Sequence, residues 1–194
     1  MSKKHNKFNN IYKDIISVNN LKDAFYRTQN SNSKYKNDSI KFSLNLHYNL
    51  NKLHQKLKSK NYKPQGYYTF KIYEPKERII SAPKFKDKIV QFAIHNIIND
   101  NFENKFIKES YACQKNKGTH RCAKRIKHYL SKSYWQYKNP WILKADMKDF
   151  FYSIDHKILK NILDKEIKCN NTLKLLHKIV NFSPQNPGLP LGNV

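Results

Sequence analysis

No part of this 194-residue chain limits its fold more tightly than the run from Trp141 to Tyr152, W-I-L-K-A-D-M-K-D-F-F-Y. Trp141, Leu143 and Ala145 alternate with Ile142, Lys144 and Asp146, the period-two pattern of a strand whose successive side chains take opposite faces. The pattern predicts a strand over 141–147, a turn over 149–153, and Asp146 emerging near the strand's carboxyl end. There the carbonyl of Met147 can offer a second oxygen to a hard cation. Taken alone, Asp146 reads first as a surface aspartate that ends a strand.

The rest of the chain divides by period and by turn residues. Residues 1–10 are polar and predicted to fray, and Ile11, Ile15, Leu21 and Phe25 predict one or two short helices before a loop, S-N-S-K-Y-K-N-D, at 31–38. From Ser43 to Lys58, Leu46, Leu50, Leu53 and Leu57 recur at spacings of three and four, which predicts a helix with one buried stripe. Tyr67–Tyr73 and Arg78–Ser81 are short aromatic and branched runs on either side of E-P-K-E, a basic antiparallel hairpin. Asp87 is expected to cap a helix through Asn99, with Ile89, Val90, Phe92, Ala93 and Ile97 inward. Further helices are predicted over 121–137, from about Asp155, and over 173–182. Asp155 reads as the cap of its helix rather than a metal ligand. His120, His128 and His156 lack the cysteine or carboxylate spacing of a metal site.

Composition narrows the partners. Thirty-eight basic residues face 14 acidic ones, a formal charge of +24, which repels itself in a compact state unless polyanions offset it. Nucleic acid is the first candidate. Only Arg27, Arg78, Arg121 and Arg125 are arginines, so the lysine excess also reads as compositional bias. The three cysteines, Cys113, Cys122 and Cys169, are odd in number and too far apart for a zinc ribbon, which predicts reduced thiols and a cytoplasmic setting. No run reaches the roughly eighteen apolar residues of a membrane span.

Four blocks then stand in order: Y-E-P-K-E-R-I-I-S-A-P-K-F-K-D-K-I-V-Q from Tyr73, E-S-Y-A-C-Q-K-N-K-G-T-H from Glu109, I-L-K-A-D-M-K-D-F-F-Y-S-I-D-H from Ile142, and N-P-G-L-P-L-G-N from Asn186. Together they resemble bacterial reverse transcriptases of the group II intron, retron and diversity-generating retroelement lineage, over about residues 65–194. The resemblance implies an α+β fold: an N-terminal helical extension (1–42), the fingers of a right-hand polymerase (43–138) and a partial palm (139–194). It implies RNA-directed DNA polymerase chemistry with an RNA template, a DNA or RNA primer, deoxynucleoside triphosphates and Mg2+. Asp146 would be the catalytic carboxylate and, with the Met147 carbonyl, a metal ligand. Lys71 and Arg78 would grip the triphosphate, a task suited to a point charge and a planar fork. Each is also readable as a solvated strand charge. The backbone N–H groups of Asp149 and Phe150 would face the triphosphate. The ring of Phe151 would exclude a 2′-hydroxyl, with core packing as the competing role for both rings. Lys117, Gly118 and Arg121 would line the template path, glycine allowing close backbone approach.

The 194 residues depart from that pattern in one respect. Family members continue into a T-S-Q segment, a hairpin bearing Y-x-D-D and a thumb. This sequence has no adjacent aspartates among its nine aspartates and five glutamates. Two-ion phosphoryl transfer needs carboxylates holding ions about 3.5–4 Å apart, so the expectation is a fragment without appreciable polymerase activity alone, and poorly soluble. An interrupted reading frame, a split enzyme completed by a second chain and a repurposed fingers module all fit. A non-catalytic RNA-binding protein and an abortive-infection relative in phage defence are the alternatives. If the basic residues contact phosphates, nucleic-acid affinity should fall steeply and log-linearly with salt. Titration across salt concentrations checks this, and a flat response would reduce the charge to compositional bias.

Overall fold

The computed structural model describes residues 10–29, 36–73, 77–185 and 187–190. The expectations for residues 1–9, the loop at 31–35, the E-P-K of the hairpin turn and residues 191–194 lie outside the described residues. Among the described residues the fold mixes helices with one small antiparallel sheet, and the chain divides into two units, Met1–Ile98 with Asp149–Val194, and Asn99–Lys148.

The first unit is built on helices. α1 (Tyr12–Ile16) and α2 (Val18–Gln29) bury Tyr12, Ile15, Ile16, Leu21, Ala24 and Phe25, so these two helices belong to the main core. The Tyr12 hydroxyl donates to the Leu57 carbonyl at 2.7 Å, and Asn20 Nδ2 donates to the carbonyls of Ile15 and Ala93, at 3.0 and 2.9 Å. These bonds satisfy buried polar groups that would otherwise each cost free energy. The helix expected over 43–58 is two helices, α3 (Asn37–Leu44) and α4 (Leu46–Lys58), separated at Asn45, whose φ of −124° and ψ of 49° are not helical. The break has a packing reason. It lets α3 drive Phe42 against Phe25 and Phe85, at ring distances of 5.9 and 5.5 Å, while α4 presents its stripe of Leu50, Leu53 and Leu57 separately.

β1 (Tyr67–Ile72) and β2 (Arg78–Pro83) pair antiparallel, as the hairpin pattern predicts. α5 (Phe85–Glu103) buries Ile89, Val90, Ala93 and Ile94. Asp87 does not cap α5. The helix begins two residues earlier, and the Asp87 carboxylate, 4% exposed, accepts from Tyr62 Oη at 2.6 Å and from the backbone N–H groups of Gln65 at 2.6 Å and Gly66 at 3.3 Å. A carboxylate in a helix's first turn also favours the positive end of its dipole. The later part of the unit comprises α7 (Phe150–Ser153), α8 (His156–Glu166) and α9 (Asn170–Asn181), which sends Leu175 into the core.

The second unit holds the end of α5 and α6 (Thr119–Tyr137). Arg125 lies over the Tyr129 ring at 4.5 Å and pairs with Glu109 at 3.2 Å, which also accepts from Tyr129 Oη at 2.9 Å. The predicted strand at 141–147 is not one. The segment is irregular and exposed along its length, because a strand needs a neighbour for its N–H and C=O groups and this unit has no strand among the described residues.

Burial outweighs the three donated hydrogen bonds and holds the Asp87 carboxyl above the usual carboxylate range. An acid raised in the folded state binds its proton more tightly there than when unfolded, so stability falls as pH rises from the ordinary aspartate range through the raised value. Asp87→Ala should destabilise the unit by about 3 kcal/mol, since Tyr62 Oη and two backbone donors lose their acceptor, and should flatten that pH dependence. Urea denaturation across pH checks both effects.

Candidate active site

The hairpin carries the first two predicted site residues. Its register pairs Lys71 with Ile79 and Ile72 with Arg78, so Lys71 and Arg78 stand on opposite faces of the ribbon. A triphosphate held by both must lie across the hairpin tip. Lys71 Nζ meets Glu77 Oε1 at 2.6 Å with both side chains 55% exposed, a screened contact that an incoming polyphosphate can displace at little cost.

The aromatic turn lies in the same unit. Asp149 has φ of 50°, a left-handed conformation aspartate tolerates better than most residues, and its carbonyl accepts from the N–H groups of Tyr152 and Ser153. Phe150 and Phe151 meet edge to face at 5.5 Å and are 47% and 48% exposed, so neither is buried in the core. Two residues with no role predicted from the sequence, Tyr152 and Gly188, hold this turn in place. Tyr152 Oη donates to the Ile79 carbonyl at 3.1 Å, joining the turn to β2 beside Arg78. Gly188 N–H donates to the Ile154 carbonyl at 2.9 Å and Leu189 N–H to the Phe151 carbonyl at 2.7 Å. His156, buried at the start of α8, contacts the Gly188 carbonyl through Nε2 at 2.7 Å. Asp155 is the cap of α8, as its position predicts: Oδ1 accepts from Lys157 and Ile158 N–H at 2.6 and 3.1 Å, and those bonds hold its carboxyl below the usual range. Nothing in the sequence marks Tyr152, whereas a glycine between two prolines is a legible sign of close backbone approach.

The remaining predicted residues lie in the second unit. Lys117 Nζ donates to the carbonyls of Lys108 and Ser110, at 2.9 and 2.7 Å, and lies over the Tyr111 ring. Arg121 Nη1 donates to the Asn116 carbonyl at 2.6 Å, so both cations close the loop before α6. Gly118 has φ of 126°, and a Cβ there would meet nothing within 4 Å. Its glycine is required by backbone conformation and leaves open space beside it. Asp146 is exposed, and its Oδ1 accepts from Met147 N–H at 3.0 Å. One carboxylate and the neighbouring carbonyl are hard oxygen donors of the type Mg2+ prefers, and they fit as part of an octahedral shell. No three His, Cys, Asp or Glu side chains converge to complete one among the described residues. No helix among them is long and apolar enough to cross a membrane.

The family profile described as reverse transcriptase (RNA-dependent DNA polymerase) matches residues 73–194, more than half the chain. The chain belongs to the reverse transcriptase family. It is 28% identical over 134 residues to the group II intron-encoded protein LtrA of Lactococcus lactis subsp. cremoris, covering 68% of this chain and 21% of that protein. It is 27% identical over 193 residues to the putative COX1/OXI3 intron 2 protein of Saccharomyces cerevisiae, 93% of this chain and 21% of that one. Protein YkfC of Escherichia coli is 24% identical over 136 residues, covering 64% of this chain and 35% of its own length. The chain therefore spans about a fifth of the length of the intron-encoded relatives.

A Cβ on Gly188 would stand 2.8 Å from the Tyr152 carbonyl oxygen and 2.9 Å from its Cα, at a φ of +113°. Gly188→Ala should therefore loosen the aromatic turn by about 1–3 kcal/mol, the usual cost of overpacking against backbone. Hydrogen exchange at Gly188 and Leu189 should speed up while α1 and α4 stay protected.

Proposed function

We propose that this chain forms the fingers and the first palm segment of a right-hand RNA-directed DNA polymerase, acting on an RNA template, a primer and deoxynucleoside triphosphates. The observation that carries the reading is the bond from Tyr152 to Ile79: it joins two blocks of the family pattern, the hairpin and the aromatic turn, far apart in sequence. In this reading Arg78 and Lys71 reach around the hairpin tip to the β- and γ-phosphates. The N–H groups of Asp149 and Phe150 approach the same anion, and Phe151 lies under the sugar, its ring too close for a ribose 2′-hydroxyl. The half-exposure of both phenylalanines supports a role at a ligand over one in the core.

Asp146 and the Met147 carbonyl would hold Mg2+, which when bound polarises the phosphoryl oxygens and activates the attacking hydroxyl. Lys117, Gly118 and Arg121 would face template phosphates. Lys117 and Arg121 keep donors beyond those closing their loop, and the open space at Gly118 admits a backbone. The names of the relatives, two of them intron proteins, support a retroelement setting. A non-catalytic RNA-binding role is favoured by a single feature, the lack of converging carboxylates among the described residues.

Two measurements test the reading. Arg78→Ala should weaken binding of a fluorescent deoxynucleoside triphosphate roughly tenfold, the usual loss for a charge-assisted hydrogen bond. Unchanged affinity would remove Arg78 from the site. Primer extension on an RNA template with Mg2+ should yield no product from residues 1–194 alone, and robust synthesis would overturn the need for further metal ligands.

A further inference from the structure

A cavity of about 550 Å3 in the first unit has no part in the site described above. It opens between α1, the end of α4 and the start of α9, and Cys169 stands on its wall. The titratable groups that face it are Tyr12 and Lys13 of α1, His54 and Lys58 of α4, and Lys60, with no carboxylate lining it among the described residues. A hollow of about 320 Å3 adjoins it, sharing Tyr12, Lys60 and Asn171 and adding Lys174 and Lys178. Tyr12 and His54 are fixed on the wall by the Leu57 and Ile16 carbonyls, each at 2.7 Å. Two joined spaces lined by five lysines therefore flank one sulfur.

Cys169 is the N-cap of α9, the position from which a side-chain acceptor ordinarily meets the first N–H groups of a helix. As a thiol it makes no such bond. Three residues on, Thr172 is fully buried, and in that state its Oγ1 has no hydrogen-bond partner among the described residues. Ionisation of Cys169 supplies the missing acceptor. Burial pushes the thiol up, but the Thr172 hydroxyl and the N–H groups of Thr172, Tyr12 and Asn171 together outweigh it and hold the thiol below its ordinary range. The positive end of the α9 dipole acts in the same direction. The thiolate is the nucleophilic form of cysteine. A cysteine that served packing alone would need neither a cavity at its sulfur nor an idle hydroxyl beside it.

We propose that Cys169 is a thiol–disulfide exchange site for a small disulfide bearing carboxylates, with the two lysine-lined hollows as its binding pocket. The Cys169 thiolate attacks one sulfur of the ligand, a new S–S bond forms at Sγ, and the ligand's own S–S bond breaks. One half of the ligand stays on Cys169 and the other leaves as a thiolate, so the ligand itself is the oxidant. A second thiol reverses the step by the same chemistry. The lysines alone would suit any small anion and the sulfur alone any electrophile, whereas an anionic disulfide answers both. The larger cavity has the volume of a small-molecule site. The site needs neither nucleic acid nor Mg2+ and stands apart from the polymerase reading.

The test uses the 194-residue chain carrying Cys113→Ser and Cys122→Ser, which leaves Cys169 as its thiol. Intact mass spectrometry follows mixed-disulfide formation with two probes, dithiobis(nitrobenzoate), which carries carboxylates, and cystamine, which carries ammonium groups. The anionic probe should react faster. Replacing Lys13, Lys58 and Lys60 by glutamine should lower the ratio of the two rates roughly eightfold, about twofold for each exposed charge. The ratio cancels any change in thiolate fraction. The rate should titrate with a midpoint below the roughly 8.5 of a free thiol, and Thr172→Val should raise that midpoint while circular dichroism stays unchanged. A midpoint in the ordinary thiol range, a rate ratio indifferent to the three lysines, or a Cys169 slower at neutral pH than the exposed Cys113 in its own single-thiol variant would each overturn the proposal.

Discussion

The segment that leads into the hairpin is anchored to the core by a buried carboxylate. A two-stranded ribbon is marginal in water by itself, and this one is held where it leaves the helices, by Asp87 accepting from Tyr62, Gln65 and Gly66 at once. The acceptor sits in the first turn of α5, a helix whose buried Ile89, Val90 and Ala93 are part of the main core. The path of force is short: core, helix, carboxylate, strand. Lys71 and Arg78 owe their positions to it.

A second set of contacts closes the other end of the hairpin. The aromatic turn reaches β2 through Tyr152, and Gly188 lies against Tyr152 so closely that no side chain fits. Residues near 79, 152 and 188 therefore form one structure, which gives a physical reason for the family pattern to contain all three blocks. The hydrogen bonds involved are mostly to backbone carbonyls, so they set position without depending on side-chain charge. That leaves the cations and rings of the same segments available to a ligand.

Charge is distributed on the same principle. Several of the few carboxylates are engaged within the fold: Asp87 with the hairpin, Asp155 with α8, Glu109 with Arg125 and Tyr129, and Asp38 with Tyr68. Lysines far outnumber them. The chain as a whole carries a formal charge of +24, with several of its few acids engaged in holding the fold.

Much was legible in the residues themselves. The leucine stripe of α4, the hairpin and the cap at Asp155 are written in local residue pattern, and they appear where period and residue type predict. Four collinear blocks sufficed for the family. What local pattern misjudged depends on partners distant in sequence. The run at 141–147 has the alternation of a strand but no neighbour in its unit to bond with, and Asp87 has the look of a cap but is claimed by Tyr62 and the chain before β1. Position across a sheet is decided the same way: the register puts Lys71 and Arg78, on different strands, on opposite faces. By itself the sequence determined the family and the elements that rest on local pattern. Only the tertiary structure decided which groups share a face and which carboxylates are occupied, because those depend on hydrogen bonds between residues that sequence spacing does not relate.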